Sequence, residues 1–413
     1  MVERFIARRL YGSTEGARGG SRPAIIIATA GISVGLVVMI ITLAVSLGFR
    51  HQIREKVTGF TQHLQISNYY SALGKDEQPI SCTDTLLAQI SSLPYVDHAQ
   101  RYIDKPGILR TDSAFQGFIL RGAGPEYDFS FFESYLKEGT VPNVCDSAQT
   151  LEFMLSRHLA DCMGVSIGDR IDVYFVQDQV KARRLTLTGI YETGFAEYDQ
   201  YYAVTDIRTL QRLNNWSGDQ VMGIGIGLSD EKYLTPSYIQ VRGIMDPYGK
   251  AHDETYAIQT MEQLNSGLFA WLDVLNVNVA VILILMLGIA GFTMISGLLI
   301  IIFERTRTIG LLKALGADNV TIRRIFLHMS AYIVGRGMLI GDAIGIAICL
   351  IQQHTGLIPL DASNYYLDSV PMEVSLWWLV ILNAVMFLLS ILMLLGPSQI
   401  ISRISPATSM RFE

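Results

Sequence analysis

Four cysteines in 413 residues, none in a CxxC pair or at Cys/His metal spacing, leave no thiolate metal site and no disulfide framework to expect. Cys349 lies in an apolar run. Cys82, Cys145 and Cys162 cannot all pair, and a Cys145 to Cys162 bridge stays open beside unpaired thiols. The seven histidines are scattered and neither GxSxG nor HExxH occurs, so neither a catalytic constellation nor a metal centre is expected. Glu197 and Asp199, in EYDQYY, read as a solvated loop rather than an acid pair. GxxxxGKS and GxxxxGKT are missing too, and Gly249, Lys250 and Ala251 do not replace them, so nucleotide binding is not expected of this chain. Charge is scarce: 17% of residues are charged against 50% hydrophobic, and a net charge of −6 argues against a nucleic-acid partner.

What the chain has instead is four long apolar runs, at 23–49, 274–303, 325–351 and 374–397. Each exceeds the ~20 residues that a helix rising ~1.5 Å per residue needs to cross a hydrocarbon core of ~30 Å. The third run contains Arg336 and Asp342, and the fourth has Asn383 as its strongly polar member. Gly31, Gly35, Gly288, Gly291 and Gly297 lie in the first two runs, where small residues let helix backbones approach when lipid gives no hydrophobic drive. The fold class that follows is a membrane α-helical protein of four transmembrane helices, with a large extracytoplasmic α+β domain inserted between helices 1 and 2.

Basic residues set the orientation. The segments 1–22, 304–324 and 398–413 hold 12 Lys and Arg against 5 acids, whereas 50–273 holds 19 against 29 and the loop 352–373 has no Lys or Arg. Both termini are therefore expected in the cytoplasm, with 50–273 outside. The first run is about twice the length of a signal-peptide core, so it reads as a retained anchor. Ahead of it, Val2, Phe5, Ile6 and Leu10 at helical spacing suggest an amphipathic helix in the headgroup layer, and 12–22 a flexible joint.

Within 50–273, the segments 63–67, 115–121, 170–176, 184–190 and 221–228 alternate as strands, and 83–92, 153–164 and 205–214 read as helices, with Thr83 or Asp84 as a cap for the first. Two lobes are expected, one at about 50–145 plus 235–270 and the other inserted at about 146–234.

The second run leads into FERTRTIGLLKALGADNVTIRRIF at 303–326. Glu304, Arg305 and Arg307 leave the membrane at the basic rim. Ile309, Leu312 and Leu315 then mark one side of a short helix, Gly316 suits a left-handed end, and Asp318 can cap the helix that follows. This reads as a helix lying across the membrane surface with an apolar stripe open to a partner.

ERTRTIGLLKALGA resembles the signature of the FtsX-type permeases of ABC transporters, which include the lipoprotein-releasing permeases and MacB-type exporters. The resemblance runs along the chain: FIARR at the start, LAVSLGF (43–49), GFILRGAGPEY (117–127), LSRHLADCMGVSIGDRIDVYF (155–175), LTGIYETGFAEYD (187–199) and SRISPATSMRFE (402–413). It implies a MacB-like periplasmic core at 50–273 and an inner-membrane subunit that is not itself an enzyme. It further implies two ABC ATPase subunits that bind the ATP and Mg, and a second permease, identical or homologous.

Carried over onto this sequence, the ATPase-coupling element is Glu304, Arg305, Arg307, Ile309, Gly310, Leu312, Lys313, Ala314, Leu315 and Gly316. The lipoprotein-releasing branch fits best, through its N-terminal pattern and the LSRHLAD and GIYETGFAEYD motifs. Its substrate would be a triacylated lipoprotein, entering a cavity between helices 1 and 2 walled by Met39, Leu43, Leu47, Leu268, Phe269, Trp271 and Leu272. The alternative is a MacB-like exporter, or an FtsX-like mechanotransmitter that relays ATPase motion to a periplasmic partner. One departure concerns a periplasmic chaperone: where the chaperone-recruiting permease has a long hairpin loop, this chain has 177–183 alone. Arg336 and Asp342 are expected to pair structurally with other helices.

Overall fold

The computed structural model describes residues 21–398 apart from 75–76, 112–113, 145–148, 177–179, 362–364, 366 and 368. The amphipathic helix expected at the start, most of the joint expected at 12–22, the tail after Ser398, and Cys145, whose pairing the sequence leaves open, lie outside the described residues. Cys82, Cys162 and Cys349 are free thiols. The chain forms two units, one of 1–50, 271–358 and 370–413, the other of 51–270 with 359–369.

Four long helices carry the apolar runs: α1 (Ser21–Thr61), α2 (Ser266–Glu304), α4 (Asn319–Thr355) and α5 (Leu376–Ser398), with the short α3 (Thr306–Ala314) between α2 and α4. All four long helices are long and apolar enough to cross a membrane. Of these, α1, α2 and α4 extend beyond the apolar runs at both ends because helical hydrogen bonding continues into polar sequence. In the helical unit α1 is central, with Ala28, Ile32, Leu36, Met39 and Ile40 all buried. Gly337, Gly341 and Gly345, one turn apart on α4, receive Ile32, Leu36 and Ile40: a Cβ on Gly341 would sit 3.0 Å from the Leu36 Cβ and from the Ser33 carbonyl oxygen. The Ser33 hydroxyl donates to the Gly337 carbonyl at 2.8 Å, a polar tie between helices of the kind that lipid favours. Against α2, α1 offers Gly31, whose Cβ would meet Thr293 Cγ2 at 2.5 Å.

The outer unit is built on one sheet: β1 (Leu64–Asn68), β3 (Val96–Arg110), β4 (Phe115–Ala123), β5 (Leu136–Gly139), β6 (Glu152–Ser156), β7 (Arg170–Val176), β8 (Val180–Tyr191), β9 (Tyr202–Asp206), β11 (Gly223–Leu228) and β12 (Tyr256–Thr260). A two-strand ribbon of β2 (Ile80–Ser81) and β10 (Gln220–Val221) lies apart from it. The sheet order is β12, β1, β11, β3, β4, β9, β6, β8, β5, and β7 pairs with both β3 and β8. The strands β3, β4, β9, β6, β8 and β7 thereby close on themselves as a six-stranded barrel, filled by Leu109, Leu120, Phe153, Leu155, Val173, Phe175, Leu185 and Leu187.

Three sequence expectations are corrected here. The segment 153–164 is not one helix but the buried strand β6 followed by a helix at Arg157–Met163, capped by Ser156 and ended by Gly164 with φ +64°. Likewise 205–214 is the end of β9 followed by a helix at Ile207–Asn214, whose cap is Asp206. The division at 146–234 does not follow the sheet, because β11 pairs between β1 and β3 and the 15-residue β3 serves both halves. By contrast, the helix expected at 83–92 occupies Asp84–Ser91 with the Thr83 hydroxyl accepting from the Leu86 N–H.

Candidate functional site

The coupling segment begins where α2 ends. Arg305 is the one residue between α2 and α3, at φ −97° and ψ 14°, and helical bonds flank it: Arg305 N–H to Ile301 O at 3.0 Å and Ile309 N–H to Arg305 O at 2.9 Å. α2 therefore passes into α3 with one off-helical residue. The far end of α3 closes as a Schellman motif, Ala317 N–H to Leu312 O and Gly316 N–H to Lys313 O, both at 3.0 Å, with Gly316 at φ +92°. Asp318 then caps α4 by accepting from the Thr321 N–H at 3.1 Å.

The outward face of α3 is not the expected one. Ile309 is fully buried, Gly310 is buried and Leu312 is packed against the core of the helical unit, while Lys313 is half-buried. Arg307, Leu311, Ala314, Leu315 and Gly316 are exposed, Leu311 by 55% and Leu315 by 77%. At ~100° per residue Leu311 and Leu315 stand ~40° apart, whereas Ile309 is ~200° from Leu311. The sequence reading took Ile309, Leu312 and Leu315 as one stripe and missed Leu311; the i, i+4, i+8 spacing of Arg307, Leu311 and Leu315 was the available signal. Glu304 is exposed at the end of α2.

The seven residues expected to wall a cavity differ in exposure. Met39, Leu268, Phe269 and Leu272 are buried, and the Arg54 guanidinium lies over the Phe269 ring. Leu43 and Leu47 line a shallow recess with Trp378, Leu379 and Leu382 of α5 instead. Trp271 meets Phe49 edge-on at 6.4 Å. Arg336 and Asp342 of α4 lie together with Asn383 and Tyr332 along an open hollow of about 650 Å³, and Asn383 Nδ2 donates to Asp342 Oδ1 at 3.0 Å, tying α5 to α4.

In the outer unit two motifs singled out in the sequence converge on the end of α1. Phe60 is stacked on Tyr198 at 4.4 Å and faces Phe131, Phe132 and Tyr202 edge-on at 5.2, 5.6 and 5.7 Å. Arg121 of GFILRGAGPEY donates to the Phe60 carbonyl and, bidentately, to Asp104 at 2.7 and 2.6 Å, between the rings of Tyr102 and Tyr202. That bonding satisfies a helix-end carbonyl that would otherwise be orphaned. Tyr198 of GIYETGFAEYD also donates to Asn265 Oδ1 at 2.8 Å, just ahead of α2.

Asp199, expected in a solvated loop, is buried: its carboxylate accepts from Thr193 N–H at 3.1 Å, Thr193 Oγ1 at 2.8 Å and Gly194 N–H at 3.0 Å. Burial pushes its pKa up to about 6. His63 shifts the other way, to about 4, through burial and the nearby His98, while its Nδ1 accepts from Leu228 N–H at 3.1 Å. A depressed His63 means stability present above the unfolded value near 6.5 and lost as pH falls towards 4; a raised Asp199 means stability present below about 3.8 and lost as pH rises through about 6. His63→Gln is therefore expected to raise the thermal midpoint at pH 4.5 relative to the parent by the equivalent of at most about 3 kcal/mol, with little change at pH 7.5, as scanning fluorimetry across that range would show.

Residues 25–249 match the family model described as MacB-like periplasmic core domain, more than half of the chain, and 280–406 match the FtsX-like permease C-terminal model. The chain belongs to the FtsX-like permeases that carry a MacB-like core. This FtsX-like permease is 25% identical to the lipoprotein-releasing system transmembrane protein LolC of Xylella fastidiosa (strain Temecula1), over 93% of this chain and 92% of that protein. It is 20% identical to the lipoprotein-releasing system transmembrane protein LolE of Haemophilus influenzae, over 91% of each. Among solved structures, the periplasmic region of MacB from Actinobacillus actinomycetemcomitans is similar with a TM-score of 0.37 at 14% identity, covering 52% of this chain and 96% of that one. The permease is thus a membrane protein with an extracytoplasmic core domain, and among the described residues four helices are long and apolar enough to cross a membrane.

Proposed function

We propose that this chain is the permease subunit of an ABC transporter that uses ATP hydrolysis by a separate ATPase to extract lipoproteins from the inner membrane towards the outer membrane. The observation that carries this reading is end-to-end likeness to the lipoprotein-releasing permeases, across membrane helices and outer domain together. Both termini and α3 lie in the cytoplasm on this reading, where the basic residues gather. Two ATPase subunits, which hold ATP and Mg, dock against α3, and a second permease completes the transmembrane pair. The exposed Leu311 and Leu315 beside Arg307 supply the apolar stripe for that contact. A non-catalytic role fits the scattered histidines and the use of the buried Asp199 in holding a turn.

The substrate path is drawn from the outer leaflet along α1, where Leu43 and Leu47 remain partly exposed. Between β7 and β8 the connection is three residues, since Val176 pairs with Val180, so this hairpin offers no long arm to a periplasmic chaperone. The test is reconstitution of the purified complex in proteoliposomes with a triacylated lipoprotein. Release that needs ATP and an intact ATPase supports the proposal; ATP turnover with no release at any protein ratio contradicts it.

A further inference from the structure

Arg54 stands on the outer extension of α1, and its guanidinium reaches three separate parts of the outer unit. It pairs with Glu231, in the single turn of 3-10 helix at Glu231–Tyr233 after β11. Its Nη2 donates to Glu262 Oε1 at 2.8 Å, in the short helix at Met261–Leu264 that leads into α2. It also lies over the ring of Phe269, in the first turn of α2, at 5.4 Å from the centroid. One turn further along α1, Thr58 Oγ1 approaches Met261 Sδ at 3.8 Å, so the same face of α1 repeats the contact. The Arg54 side chain is only 20% exposed while Glu231 and Glu262 are 39% and 43% exposed.

Exposed ion pairs add little stability one at a time. The significance of this arrangement is its connectivity: one planar cation ties the end of α1 to the start of α2 and to the chain leaving the sheet. The tie also lies apart from the Phe60 cage, which fixes α1 to the barrel side of the domain.

We propose that Arg54 is a positioning residue that locks the outer ends of α1 and α2 together, so that a displacement delivered along one helix moves both and the domain between them. This rests on the reading of the chain as an ATP-coupled permease. Without the lock, α2 would slide or rotate past α1 and ATP turnover would no longer be converted into substrate release.

The test compares parent, Arg54→Gln and Arg54→Lys complexes for ATPase rate and lipoprotein release in the same proteoliposomes. Arg54→Gln is expected to keep ATPase activity within roughly twofold and to lose release at least roughly tenfold, while Arg54→Lys, which keeps the charge, recovers part of it. Where Arg54→Gln assembles poorly, Glu262→Gln removes one arm only and is expected to give a smaller loss of the same kind. A Thr58→Cys, Met261→Cys pair joined by a short bismaleimide in the Arg54→Gln background is expected to restore release. Release at the parent rate by Arg54→Gln, or release still lost once the tether is in place and ATP is turning over, would overturn the lock. Failure of the parent complex to release substrate would instead count against the functional reading itself.

Discussion

Leu311→Glu and Leu315→Glu are each expected to strip the ATPase from the purified permease while leaving its membrane yield and thermal midpoint unchanged. Both side chains are exposed in the isolated chain, by 55% and 77%, so a carboxylate there is solvated and harmless to the fold. In a complex the same carboxylate would be desolvated without a partner, at a cost of several kcal/mol. At ~1.4 kcal/mol per factor of ten, affinity should fall by roughly a hundredfold or more. Leu312→Glu and Ile309→Glu provide the contrast, because Ile309 is buried and Leu312 packs on the core of the helical unit. These two should lower membrane yield itself. Copurification of the ATPase at parental level with Leu311→Glu and Leu315→Glu would remove α3 as the docking element.

The second large effect concerns α2. Its 39 residues make about 58 Å of unbroken helix at ~1.5 Å per residue, and one off-helical residue, Arg305, joins it to α3. Such a helix transmits displacement along its axis only while its hydrogen-bond ladder is continuous. Leu285 is 59% exposed in the middle of it, so substitution there disturbs little packing. Leu285→Pro removes one bond and clashes with the preceding turn, at ~3 kcal/mol or more in water, part of which neighbouring helices relieve in a membrane. The expected product is a complex that assembles and hydrolyses ATP yet no longer moves substrate. Release and hydrolysis both at parental rates would exclude axial transmission through α2.

The parts of the fold that were legible in the sequence are those governed by local physics. The apolar runs announced themselves by length, Thr83 and Asp318 by cap chemistry, and Gly316 by the need for positive φ at a helix end. The barrel was not legible, because β6 is buried on both faces and Phe153, Met154 and Leu155 show no alternation to distinguish strand from helix. β3 was hidden by Pro106 and Gly107, which ordinarily break strands. Pro106 falls in the interval between the β11 and β7 pairings of β3, so among the described residues no ladder bond is forfeited on that edge.

The candidate site divides in the same way. The position of α3 was readable, but its outward face depends on which side the helical core covers, and that is a tertiary fact. The convergence of Arg121, Tyr198 and Phe60 was likewise beyond sequence reasoning, since 61 and 138 positions of chain separate Phe60 from Arg121 and Tyr198. Asp199 in EYDQYY was misread for a related reason: nothing in its neighbours' polarity signals that Thr193 and Gly194 turn back to bond it in the interior.

The measurement that bears most directly on the account is depletion of this chain in its own cell, followed by separation of inner and outer membranes and quantification of lipoproteins in each. The account predicts that triacylated lipoproteins accumulate in the inner membrane while other outer-membrane proteins arrive normally. An unchanged lipoprotein distribution, accompanied by loss of a periplasmic enzyme's activity, would contradict it and identify the chain as a relay of motion that moves no substrate.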